Sequence, residues 1–108
     1  MGLLRSRSKL TPAATLSVEV GMVLEGVGYR AAIDIGKPSF RTGYYIAVQR
    51  TWVEVYYHDR SQNAAEQASN QALFADRIEP LLKRRFGAHR VKSKIISGGR
   101  QGFEVTLR

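Results

Sequence analysis

The chain has 108 residues, of which 44% are hydrophobic and none is a cysteine. A chain of this length forms one domain that buries a hydrophobic core. The lack of cysteine excludes disulfides, thiolate metal ligands and a cysteine nucleophile. Since no apolar run approaches the ~20 residues that a membrane-spanning helix needs, we predict a cytoplasmic protein without membrane contact.

Positive charge is concentrated towards one end of the chain. There are 17 lysines and arginines against 9 acids, which gives a net charge of +8. The segment from Lys83 to Arg108 holds eight basic residues and one acid, Glu104, and therefore carries +7 of that charge. Because such an excess attracts polyanions, the composition favours nucleic acid as a partner.

The first residues are polar and basic and end at a proline. Residues 1–12 are therefore predicted to form a disordered basic tail. No repeat or low-complexity segment follows. Residues 13–108 are predicted to form a single α+β domain.

Residues 14–28 fit two structures. Apolar and polar residues alternate from Leu16 to Met22, and together with the valine content and Gly21 this alternation favours a strand. A helical stripe through the same residues is the alternative, with Thr11 as its N-cap and Pro12 in its first turn. We expect the strand.

Three further strands are predicted in the first 58 residues, at residues 29–35, 44–49 and 52–58. Residues 36–39 contain Gly and Pro and are expected to form a turn or loop. Residues 49–51 hold the expected hairpin turn, although one long strand through them is an alternative. On the last of these strands, Val53 and Val55 share one face, while Trp52 and Tyr56 share the other.

A long helix is predicted from about Ser61 to Phe86, because apolar residues recur there with a period of 3.6. Asp59 or Ser61 can provide its N-cap. Gly87 suits the C-terminal cap, and the basic residues before it suit the negative end of the helix dipole. Pro80 is expected to kink the helix or to break it.

The last predicted elements are strands at residues 89–96 and 103–107, joined by the Gly-rich loop SGGRQG. The predicted order is therefore four strands, one helix and two strands (ββββ-α-ββ), with the first strand open to a helical alternative. Such segregation of strands and helix indicates an α+β fold with a mainly antiparallel sheet and the helix packed on one face.

A spaced pattern extends through the strand and the helix. Its residues are Val53-Glu54-Val55-Tyr56-Tyr57, Asn70, Leu73-Phe74, Ile78-Glu79 and Phe86-Gly87. Over roughly residues 36–108 the chain resembles an uncharacterised C-terminal domain, a domain of unknown function, of predicted restriction-endonuclease-like proteins. That family's tryptophan in the strand after the helix has no counterpart here. The resemblance implies association with DNA-related proteins and names no activity.

Six basic residues form the predicted polyanion surface. Three of them alternate along one strand and would project to the same side, while the others lie at the helix end and in the last loop. Each contact with a phosphate would release counterions and make binding dependent on salt. The predicted nucleic-acid-binding residues are Arg84, Arg85, Arg90, Lys92, Lys94 and Arg100.

The aromatic residues support an alternative function. Tyr45, Trp52 and Tyr56 are predicted to form the interface of a homo-oligomer, a dimer, if they are exposed together on the sheet. In this alternative the protein is a structural or interaction protein, with room for a small-molecule cleft at the interface.

The acidic residues do not form a convincing catalytic pattern. Asp34 and Glu54 resemble the acids of a metal-dependent nuclease, but the lysine of a Glu-x-Lys motif is missing after Glu54. His58 and Asp59 are adjacent, so on a strand they point to opposite faces. We therefore predict a small non-catalytic binding module with no catalytic residues, no metal and no cofactor.

Overall fold

The structure is a computed structural model that describes residues 11–33, 42–59, 63–96 and 100–108. Two α-helices, a short 3-10 helix and five strands occur in these ranges. In chain order they are α1 (Pro12–Gly26), β1 (Ala31–Ile33), β2 (Thr42–Val48), β3 (Trp52–Asp59), α2 (Ala64–Phe86), the 3-10 helix (Ala88–Arg90), β4 (Val91–Ile96) and β5 (Arg100–Thr106). The α+β class is confirmed, but the order of strands and helices differs from the predicted one.

The first element is a helix, so the prediction of a strand at residues 14–28 is wrong and its helical alternative is confirmed. The Oγ1 atom of Thr11 accepts a hydrogen bond from the Ala14 amide at 3.1 Å, and Pro12 lies in the first turn. This cap satisfies an amide that the helix itself leaves without an acceptor. The buried residues of α1 recur at helical spacing and include Leu16, Val20 and Leu24.

Gly21 explains why the strand prediction failed. It lies inside α1 and faces the sheet, where a Cβ atom on it would be 3.5 Å from Cδ1 of Ile33 and 3.7 Å from Cδ1 of Ile46. The glycine therefore marks the contact of helix and sheet rather than a weak point in a strand. Helix propensity alone disfavours a glycine inside a helix, which is why the sequence favoured a strand at this position.

The five strands form one sheet in the order β1-β2-β3-β5-β4. The pairs β2–β3, β3–β5 and β5–β4 are antiparallel, whereas β1 is parallel to β2 with Ala31 opposite Tyr44. The sheet is therefore mixed and not purely antiparallel. The predicted turn at residues 49–51 is confirmed, because the Gln49 amide donates to the Trp52 carbonyl at 2.9 Å.

Both α-helices pack on the same face of the sheet. The core there joins residues of α1, residues of α2 and the inward side chains of the strands. As predicted, Val53 and Val55 lie on this face and are fully buried, while Trp52 and Tyr56 lie on the other. No described helix covers that other face, which we call the open face. The buried apolar residues with no more than 3% exposure in the strands are Tyr44, Ile46, Val53, Val55, Val91, Phe103 and Val105.

The second helix starts later than predicted. Its N-cap is Asn63, whose Oδ1 atom accepts a hydrogen bond from the Glu66 amide at 3.0 Å. Asp59 instead ends β3, and Ser61 lies outside the described residues. The helix continues through Pro80 without a break and ends at the predicted cap, Gly87, whose φ is 102°. Gly87 therefore has a backbone conformation that favours glycine.

The ends of the other predicted segments differ in detail. Residues 100–102 of the predicted loop SGGRQG belong to β5, and residues 97–99 lie outside the described residues. Residues 1–10 of the predicted tail also lie outside them, whereas Thr11 and Pro12 form the start of α1. Among the described residues, neither helix is both long and apolar enough to span a bilayer.

Candidate functional site

The predicted polyanion surface is divided between two sides of the sheet. Lys92 and Lys94 alternate with the buried Val91 and therefore project from β4 onto the open face. Arg84 and Arg85 lie near the end of α2, on the helical side. The structure thus does not bring the predicted residues into one group. Arg100 begins β5, but its side chain lies outside the described part of the chain.

Lys94 is held by two carboxylates of the open face. Its Nζ atom lies 3.1 Å from Glu104 Oε1 and 3.2 Å from Glu54 Oε2. These hydrogen bonds, the one to Glu104 first, raise the pKa of Lys94 above its ordinary value. The Nζ atom also lies 6.0 Å from the ring centroid of Trp52. Since two carboxylates already bind Lys94, its charge is less available to a phosphate than that of a cation without an acidic partner.

Arg90 has a different set of contacts, near the end of α2. Its Nε–H donates to the Thr106 carbonyl at 2.9 Å, and its guanidinium lies 5.8 Å from the ring centroid of Phe86. Arg85 lies 5.2 Å from the same ring. The two guanidinium groups therefore gather around one nearly buried aromatic ring, in the range of cation–π contacts.

Three arginines on α2 are exposed and, among the described residues, have no acidic partner within ion-pair distance: Arg77, Arg84 and Arg85. Lys83, by contrast, pairs with Glu79 at 2.8 Å. Arg77 is not among the predicted nucleic-acid-binding residues, all of which lie at or after Arg84. Its signal was the seven-residue spacing to Arg84, because residues seven apart lie on the same side of a helix.

The predicted interface residues lie together on the open face. Tyr45 and Tyr56 are directly opposite in the β2–β3 pair, with their ring centroids 5.1 Å apart. The Nε1–H of Trp52 donates to Glu54 Oε2 at 3.3 Å. All three aromatic side chains are half-buried, and each keeps some exposed surface. The structure thus provides an accessible aromatic surface, while the predicted dimer stays a prediction.

A second aromatic group lies on the helical side of the sheet. Tyr44 is fully buried, and its ring makes edge contacts with Tyr29 and Tyr57 at centroid distances of 5.1 Å and 5.8 Å. Burial is the main cause that raises the pKa of the Tyr44 phenol well above its ordinary value. The phenol therefore stays neutral wherever the protein is folded at ordinary pH.

The residues considered for catalysis are not brought together into one site among the described residues. Glu54 is occupied by Trp52 and Lys94, as described above, and Asp34 lies outside the described residues. His58 lies on the open face of β3. Within the ranges that the structure describes, no group of three or more His, Asp or Glu side chains could hold a metal ion.

Comparison with known proteins adds no relative from which a function could be transferred. The predicted resemblance to a C-terminal domain of restriction-endonuclease-like proteins therefore stays a prediction. The exposed arginines of α2 and the aromatic residues of the open face are the features on which a function can be argued. No family model, curated protein or solved structure matches this chain.

Proposed function

We propose that the protein is a non-catalytic binding module that contacts a polyanion, nucleic acid above all, through the exposed arginines of α2. The observation that carries this proposal is the set Arg77, Arg84 and Arg85, which have no acidic partner among the described residues. Lys94 is left out of the surface because two carboxylates already bind it.

Helix stability alone does not account for this set. Cations in the last turn of a helix interact favourably with its dipole, and that effect is enough to explain Arg84 and Arg85. The effect falls off beyond the last turn. Arg77 lies nine residues before the end of α2, more than two turns away, so the helix dipole does not account for its position.

Phosphate contacts by these side chains would be electrostatic and independent of base sequence. Arginine presents a planar fork of N–H donors that suits phosphate oxygens. Three such contacts predict a slope of log Kobs against log salt of about −2.7 for duplex DNA and about −2.1 for single strands. The surface therefore supports binding that weakens steeply as salt is raised.

The test is a titration of labelled duplex and single-stranded DNA at low and moderate salt. The variant Arg77→Gln/Arg84→Gln/Arg85→Gln is expected to bind weakly and to lose most of the salt dependence. A matched control removes the same charge from exposed arginines elsewhere, as Arg30→Gln/Arg50→Gln/Arg108→Gln. No binding by the unmodified protein at low salt refutes the proposal, and equal losses in both variants refute the assignment to α2.

A second candidate function is self-association through the open face. The specific observation is that both helices lie on the opposite side of the sheet, while Tyr45, Trp52 and Tyr56 keep exposed surface. Aromatic residues are enriched in protein interfaces. Two copies facing each other here would bury these rings and form a dimer.

Light scattering and sedimentation over a range of protein concentrations test this second function. Tyr56→Lys is expected to dissociate the dimer, because it places a charge within the aromatic surface. Met22→Lys is the control, since Met22 is 67% exposed on α1 and lies away from the open face. A strict monomer at every concentration contradicts self-association.

A further inference from the structure

A cavity opens between the end of α1 and the flank of α2. Its volume is about 350 Å³, which lies at the lower end of the range for small-molecule sites. Among the described residues, no acidic side chain lines it. The lining residues are Val27, Tyr29, Arg77, Ile78, Pro80, Leu81 and Arg84.

The apolar part of the cavity comes from both helices. Ile78 is fully buried, and Leu81 is half-buried beside it on α2. Val27 follows the last residue of α1 and is 51% exposed although it is apolar. A ligand body that covered Val27 and Leu81 would remove apolar surface from water.

Tyr29 forms an ordered aromatic wall. Its amide donates to the Leu24 carbonyl at 3.0 Å, which ties the backbone to the end of α1. Its ring packs edge-on against the buried ring of Tyr44. Because these contacts hold Tyr29 in the folded protein, binding a ligand against its ring would not require ordering a loose side chain.

The charged part of the cavity consists of Arg77 and Arg84. At 1.5 Å of rise per residue their Cα atoms are separated by about 10.5 Å along the helix, with Leu81 between them. No acid within the described residues neutralises either of them. The cavity thus combines two cations with an apolar floor and an aromatic wall, an arrangement that suits an anion attached to a flat apolar body.

We propose that this cavity binds a phosphate monoester with an aromatic body of about the size of a nucleotide. The phosphate lies between the guanidinium groups of Arg77 and Arg84, and the aromatic body lies against Tyr29, Val27 and Leu81. Arginine gives the paired N–H donors that a phosphate accepts. The cavity site goes beyond polyanion binding, because it requires apolar contacts that a nucleic-acid backbone does not make.

The probe is 1-naphthyl phosphate, titrated by calorimetry into the full chain at moderate salt. Inorganic phosphate tests the anion alone, and 1-naphthol tests the apolar body alone. Saturable binding of 1-naphthyl phosphate, at least tenfold tighter than that of either comparison compound, is the expected result. No saturable binding, or equal binding of 1-naphthol, overturns the proposal.

Matched variants locate the site. Arg77→Gln and Arg84→Gln are each expected to weaken binding about tenfold, because each removes a charged hydrogen-bond donor. Arg85→Gln removes the same charge from the same helix, but Arg85 does not line the cavity. An equal loss in Arg85→Gln would show that net charge, and not the cavity, binds the probe, and would overturn the proposal.

A second pair of variants tests the apolar wall without touching an arginine. Val27→Glu places a negative charge at the cavity, whereas Val18→Glu places it on an exposed part of α1, where Val18 is 43% exposed. Only Val27→Glu is expected to abolish binding, with circular dichroism showing that both variants fold. Equal binding by the two variants overturns the proposal.

The cavity and the arginine set of α2 proposed to contact a polyanion share Arg77 and Arg84, but different results would refute the two proposals. A protein that binds 1-naphthyl phosphate through the cavity but no DNA at low salt supports the cavity alone. A protein that binds DNA but does not bind 1-naphthyl phosphate supports polyanion binding by the arginines of α2 and refutes the cavity site. Arg85→Gln is expected to weaken DNA binding while leaving 1-naphthyl phosphate binding unchanged.

Discussion

Replacing Lys94 by glutamine is the sharpest test of the open face. Glu54 and Glu104 lie directly opposite each other in the β3–β5 pair, and Lys94 reaches both carboxylates from β4. Lys94→Gln would leave two negative charges opposite each other without the cation that separates them. We therefore expect the variant to be less stable than the natural sequence at neutral pH.

The size of the expected loss of stability follows from the solvent exposure of the three charged side chains. The side chains of Lys94, Glu54 and Glu104 are 32%, 17% and 22% exposed, so solvent partly screens the ion pairs. Each such pair contributes roughly 0.2–1 kcal/mol, and like charges in opposite positions cost a similar amount. We expect a loss of about 1–2 kcal/mol in the free energy of unfolding, or a Tm lower by about 5–10 °C.

The loss of stability in Lys94→Gln is expected to depend on pH. The pKa of Lys94 is raised in the folded protein, so its contribution is complete below the ordinary lysine pKa of 10.5 and is lost as pH rises through the folded value. At a pH low enough to protonate both carboxylates, neither the ion pairs nor the repulsion remain. The destabilisation should therefore be largest between these limits and should shrink in acid.

Urea unfolding of Lys94→Gln, followed by Trp52 fluorescence and by circular dichroism, measures the loss. Trp52 is the only tryptophan and lies within the cluster, so agreement of the two signals guards against a purely local change. Lys92→Gln is the control, because Lys92 is exposed on the same strand and makes no ion pair with the described residues. If Lys94→Gln is as stable as Lys92→Gln, or if its loss of stability persists in acid, the stabilising role assigned to the ion pairs of Lys94 is refuted.

Three further predictions concern single positions. Gly21→Ala should raise stability by about 0.5–1 kcal/mol in thermal unfolding, because alanine favours a helix interior and its Cβ would make ordinary contacts with the sheet; a lower Tm would contradict this. Gly87→Ala should lower stability by about 1–3 kcal/mol in the same assay, since φ is 102° and the new Cβ would lie 3.1 Å from the His89 ring; unchanged stability would refute it. Because burial raises the pKa of Tyr44, stability should fall as pH rises above the ordinary tyrosine value of 10.0. Tyr44→Phe should make that decline shallower in urea titrations, and an unchanged decline would show that Tyr44 is not its source.

Several features could be read directly from local patterns. The alternation in β3 correctly assigned Val53 and Val55 to the core and Trp52 to the open face. The helical period and Gly87 correctly placed the end of α2. These predictions succeeded because side-chain direction follows from backbone geometry once the type of element is known.

The pattern of apolar residues in the first element did not determine whether it is a helix or a strand. Leu16, Val20 and Leu24 fit a helical stripe, while alternation through the same residues also fits a strand. Packing decides between the two, because α1 covers the sheet and places Gly21 against Ile33 and Ile46. That contact joins residues from three elements, so no window of sequence contains it.

The amino-acid order established a basic α+β chain with an aromatic strand, a long helix and an excess of positive charge near its end. Which charges face a ligand was decided only when the chain folded. Forty positions separate Glu54 from Lys94 in the sequence, yet the sheet brings them within hydrogen-bond distance, so that Lys94 is paired. Arg77 and Arg84, by contrast, lie exposed on α2 beside a cavity. Charge pairing depends on distances of a few ångströms in space, and those distances arise from strand register and helix packing.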